Sequence, residues 1–193
     1  MKLAHEERAG TSWDRTRSLS RGLTSMFAAL TLLLAAPWGS RAEDGGATVV
    51  EPPYEDPKVV VDFYFDRPEK AATALHWLRA FINPLMEAPY GMAPEFMSIV
   101  VVIHGTELVT VATKNYDKYK TIVERMKYYA QLGVKFRVCR LAAEDYGYTP
   151  ADLQDFIEVA PSAMTELVHW QQQGYALLIP QVPEKHFTIE EIR

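Results

Sequence analysis

The chain has 193 residues, 48% hydrophobic and 11% aromatic, which is enough for one sizeable core in a single domain plus an additional segment. Its formal net charge is −5, and without residues 1–42 it would carry 14 Lys+Arg against 22 Asp+Glu, a balance that argues against nucleic acid or an anionic membrane as a partner. A single cysteine excludes an internal disulfide and a CxxC dithiol centre.

Residues 1–22 carry five scattered basic residues, Leu23 to Trp38 is almost wholly apolar, and Ser40-Arg41-Ala42 closes the stretch with small residues. This three-part layout predicts a secretory signal over residues 1–42, cleaved near Ala42 to release a periplasmic or secreted protein. The apolar run is 16 residues long. A membrane-spanning helix needs roughly 20, so no stable membrane insertion is expected after cleavage. Residues 43–57, EDGGATVVEPPYEDP, read as a flexible acidic leader, and 58–193 as the folded domain.

Four runs have strand character: Lys58 to Phe65, Met97 to His104, Lys135 to Cys139 and Tyr175 to Ile179. Two of them, VVVDFYF and SIVVVIH, are apolar on successive residues, which predicts burial on both faces of a parallel sheet. Between the first two, Leu75, Leu78, Ile82 and Leu85 recur at helical spacing, with Asp66 placed to cap and Pro68 in the first turn. Pro84 to Pro94 reads as a loop at the N-terminal edge of the sheet, with Met86, Tyr90, Met92 and Phe96 as covering or subunit-contact residues. Tyr119, Ile122, Met126 and Ala130 mark a second helix ending at Gly133, and Leu141 to Tyr146 a short third one stopped by Gly147. A last helix from about Pro161 to Gly174 is expected to bury Met164, Leu167 and Val168. The order β-α-β-α-β-α-α-β predicts an α/β fold, a three-layer sandwich with a mostly parallel sheet.

Ligands in such folds bind at the C-terminal edge of the strands. That edge receives Asp66 and Arg67, then His104-Gly105-Thr106-Glu107, then Cys139 and Arg140, and finally the tail after Pro180. Cys139 ends its strand immediately before a helix, whose first amides favour a thiolate, and Arg137 and Arg140 add positive charge nearby. The lone thiol has three readings: a buried inert side chain, an intermolecular bridge, or a working nucleophile or sulfur carrier. His104 is a candidate base beside Cys139 if their strands are neighbours, and Gly105 would let backbone approach a ligand. Asp66, Arg67, Gly105 and Arg140 are the candidate binding residues. No dinucleotide fingerprint, phosphate loop, GxSxG or metal-ligand spacing is present, so no cofactor and no metal are expected.

The segments VKFRVCRLAAEDYGYTPADL, VAPSAMTELVHWQQQGYALL and SIVVVIHG together resemble the DsrE/DsrF-like family, from roughly Lys58 to Pro180. The likeness is greatest to exported members, which also carry HG after the second strand. It implies a DsrE-like α/β sandwich that assembles as homotrimers or hexamers. In the sulfur-relay members a cysteine matched here by Cys139 accepts sulfur as a persulfide and passes it on, which implies a donor or acceptor protein as partner. The resulting expectation is a periplasmic protein that handles sulfur on Cys139. The alternative is a non-catalytic oligomeric binding module in which Cys139 is structural.

Overall fold

Strands that are apolar on successive residues need cover on both faces, and the two such runs take inner positions in a five-stranded sheet. The computed structural model describes residues 46–193, of which Val50–Arg193 form one compact unit. The expected signal at 1–42 lies outside the described residues. The strands are β1 (Lys58–Phe63), β2 (Ser98–Ile103), β3 (Lys135–Cys139), β4 (Ile157–Ala160) and β5 (Ala176–Leu178). Their order is β4-β3-β2-β1-β5, and every neighbouring pair is parallel. Phe63 pairs with Ile103, Ile103 with Val138, and Cys139 with Ala160, so the C-terminal ends of four strands meet along one edge.

The larger core lies between one face of the sheet and helices α1 (Lys70–Met86) and α2 (Tyr116–Gln131). Phe63, Leu75, Leu78, Ile82, Ile103, Met126 and Phe136 are buried within it. Every apolar position expected to face inward from α1 does so. A smaller core on the other face packs Val60, Val100, Val102 and Cys139 against Ala163 and Leu167 of α4 (Ala163–Gln172). Two more helices, α3 (Arg140–Asp145) and α5 (Ile189–Ile192), follow β3 and close the chain respectively. The three-layer α/β sandwich is thus present.

Four local expectations need correction. The strand β4 is additional to the four expected, because it is a short edge strand in which only Ala160 is fully buried. An edge strand with so little buried surface leaves no apolar run to recognise. Met164 and Val168 are exposed rather than buried, since α4 turns Ala163, Glu166 and Leu167 inward. Glu166 is satisfied in that position: its carboxylate accepts hydrogen bonds from Trp170 Nε1 at 2.9 Å and from Arg137 on the sheet at 3.3 Å. Helix α1 runs through Pro84 to Met86, so the connecting loop begins later than Pro84. Beyond it, Tyr90 and Met92 pack on the core while Met86 and Phe96 stay exposed. Lastly, Asp66 does not cap α1. The helix starts after Glu69 without a side-chain cap, and Asp66 instead pairs with Lys70 at 2.7 Å.

Candidate functional site

Side chains alternate across a strand, so the register decides which groups share a face at the C-terminal edge. Val60 and Val102 belong to the α4 face, as does Cys139. Two residues beyond Val60 comes Asp62, and two beyond Val102 comes His104, so both share that face. His104 follows the rung Ile103–Val138 directly, which makes Cys139 its cross-strand neighbour. Adjacent strands run about 4.8 Å apart.

His104 is held from several directions. Its Nε2 lies 2.7 Å from Asp62 Oδ1, with 13% and 17% of the two side chains exposed. Tyr64 stacks on the imidazole with ring centroids 4.8 Å apart and planes 16° from parallel. The backbone N–H of His104 continues the ladder to the carbonyl of Phe63 and also donates to Glu107 Oε1. When Asp62 accepts from Nε2–H, an uncharged imidazole has its lone pair on Nδ1.

Cys139 is the N-cap residue of α3, where its Sγ accepts from the amide of Ala142 at 3.5 Å. The residue is 6% exposed. Above it opens a cleft of about 350 Å³ walled by Tyr64, Phe65 and Asp66 after β1, by His104, Gly105 and Thr106 after β2, and by Ala142, Asp145 and Tyr146. Ala142 contributes both to the cleft wall and to the packing around Cys139. The thiol therefore lies beneath the cleft rather than in its wall.

The turn after His104 is built on a buried carboxylate. Glu107 is 0% exposed, and its two oxygens accept from the backbone N–H groups of Phe65 at 3.0 Å, His104 at 3.1 Å and Gly105 at 2.8 Å. Burial holds its carboxyl above the ordinary carboxylate range, and these amides pull the other way. Thr106 ties the same turn to β1 through Oγ1, which donates to the carbonyl of Phe65 at 2.9 Å.

Of the residues singled out from sequence, Asp66, His104 and Gly105 line the cleft. Arg67 reaches away to Glu184 at 3.3 Å, and Arg140 stands in solvent 3.9 Å from Glu144. Arg137 shares the face of Cys139, but its charge is met by Glu158 at 2.8 Å and Glu166 at 3.3 Å. Gly105 sits tight against Phe65 and Glu107. Sequence reasoning passed over Asp62, Tyr64 and Glu107. For Asp62 a signal existed, since a lone carboxylate inside VVVDFYF must find a partner once the strand is buried. Among the described residues no group of three or more His, Cys, Asp or Glu is arranged to hold a metal ion.

The five-stranded all-parallel sheet covered by helices on both faces places the protein in the α/β class. The model of the DsrE/DsrF-like family matches residues 52–180, and the chain belongs to that family. Its membership points to a role related to sulfur relay. A protein of unknown function from Methanobacterium thermoautotrophicum superposes with a TM-score of 0.51 at 18% identity, over 64% of this chain and 99% of that one. A conserved protein of unknown function from Bacteroides thetaiotaomicron gives a TM-score of 0.41 at 17% identity, over 65% and 96%. The first of these likenesses is one of fold. Comparison with curated proteins gives no match.

Proposed function

We propose that this protein handles sulfur through a persulfide on Cys139, with His104 as the base. The reading is carried by one observation: the lone thiol and an imidazole hydrogen-bonded to Asp62 end neighbouring strands on the same face, the imidazole in the wall of the edge cleft and the thiol beneath it. In the forward step the Cys139 thiol gives its proton to His104. The sulfur atom then bonds to the outer sulfur of a donor persulfide, the donor's own S–S bond breaks, and the leaving thiolate takes the proton from His104. Sulfane sulfur changes carrier without net oxidation. The Ala142 amide, which already points at Sγ, would stabilise the anion at either stage.

The test is intact-mass spectrometry after incubation with a small-molecule persulfide. The wild type is expected to gain the mass of one sulfur atom at Cys139, and Cys139→Ser to gain none. Equal loading of the two proteins would sink the proposal. The 6% exposure of Cys139 favours a second reading, a binding module in which the thiol only packs. An alkylating reagent that modifies Cys139 in the unfolded chain but not in the folded one would favour that module.

We further propose that the protein acts outside the cytoplasm as a homotrimer or homohexamer. Support for export comes from the charged, apolar and small-residue order of residues 1–42. Support for assembly comes from Met164, Val168 and Leu177, which are exposed on α4 and on β5 beside it. Native mass spectrometry of protein recovered from the exported fraction reads both: the expected subunit lacks residues 1–42, and the expected complex holds three or six copies. A full-length monomer in that measurement would refute both halves.

A further inference from the structure

Asp62 interrupts a strand whose neighbours Val60, Val61 and Phe63 are all buried. A carboxylate there carries a desolvation cost that only a matched partner offsets. Its partner is His104 Nε2, 2.7 Å away. Tyr64 covers one face of the same imidazole, and the main chain of His104 is bound to Phe63 and Glu107. The ring is thereby held in plane, in position and in orientation by three independent contacts.

We infer that Asp62 is the positioning residue of the site: by accepting from Nε2–H it sets the tautomer of His104 and leaves the Nδ1 lone pair to take the Cys139 proton. The inference rests on the sulfur-handling reading for its chemical consequence, but not for its structural claim. In that step the S–H bond of Cys139 breaks, its electron pair stays on sulfur and the proton bonds to Nδ1. Asp62 accepts the Nε2–H hydrogen bond throughout and exchanges no proton. This arrangement differs from a plain ion pair, in which either nitrogen of an unconstrained ring would serve equally.

Two measurements test it. Nitrogen-15 NMR of the uncharged imidazole, recorded at alkaline pH, is expected to show hydrogen on Nε2 of His104 in the wild type and a mixture of tautomers in Asp62→Asn, because the amide can donate as well as accept. Hydrogen on Nδ1 of the uncharged ring in the wild type would overturn the inference without any variant being needed. The rate of persulfide loading is expected to fall about 10²-fold in Asp62→Asn. In a His104→Asn background the same substitution is expected to change the rate by less than about twofold, since its effect passes through the imidazole. A comparable loss in both backgrounds would show that Asp62 acts on the fold and not through His104. If Cys139→Ser loads like the wild type, the sulfur reading fails, while the tautomer measurement still decides the role of Asp62.

Discussion

Replacing Gly105 by alanine is expected to cost about 3 kcal/mol or more, through crowding and the amides it orphans. A Cβ at this position would lie 2.5 Å from the amide nitrogen of Phe65, 2.8 Å from its carbonyl oxygen and 2.6 Å from Glu107 Oε2. Two of those atoms are backbone, and the third belongs to a carboxylate held by three amides, so none can swing aside. The backbone angle itself is ordinary for any residue, at φ −99°. Space alone demands glycine here. Relief requires moving the β1 end away from the turn, which breaks the hydrogen bonds that join Phe65 to Glu107 and Thr106. Thermal denaturation followed by circular dichroism should show a midpoint lower by about 6–12 °C, given roughly 2–4 °C per kcal/mol for a domain of this size. A midpoint within about 2 °C of the wild type would mean that the turn relaxes freely.

The second large effect is expected from Glu107→Gln. The side chain keeps its shape but exchanges one acceptor oxygen for an NH2 group. If the nitrogen takes the Oε1 place, the amides of His104 and Gly105 lose their acceptor; if it takes the Oε2 place, Phe65 does. In either orientation a donor faces a donor in a buried turn, at a cost of about 1–3 kcal/mol measured by urea unfolding at neutral pH. The variant also removes a titration. Because burial raises the carboxyl of Glu107 in the folded state above its ordinary value, the folded protein holds that proton more tightly than the unfolded chain does. The resulting stabilisation is complete below that value and is lost as pH rises through the higher folded one. The gap between wild type and Glu107→Gln should therefore be widest in acid, narrow across that interval and then level off. A gap that widened with rising pH would contradict the direction of the shift.

Both predictions concern a turn that a linear reading marks only as HGTE. Read alone, Gly105 suggests room for a ligand, and Glu107 looks like one more surface carboxylate. Their roles come from β1, about forty residues earlier in sequence, because the end of that strand presses against the turn. A contact at that separation leaves no periodic trace. The same holds for the His104–Asp62 pair, which needs β1 and β2 aligned so that Asp62 and His104 fall on one face. Arg137 and Arg140 illustrate the reverse: basic residues near Cys139 in the chain are drawn off by Glu158, Glu166 and Glu144, two of them supplied by β4 and α4.

The amino-acid sequence by itself determined the class of fold, the position of α1 and of the doubly buried strands, and the convergence of Cys139 and His104 on the C-terminal edge. Those features follow from hydrophobic period and strand order, which are local or nearly so. Only the tertiary structure decided that the thiol lies beneath the cleft, that Asp62 and Tyr64 clamp the imidazole, and that Glu107 builds the turn. The physical reason is that buried polar groups are placed by their partners, and those partners come from other strands and helices whose register the linear chain does not display.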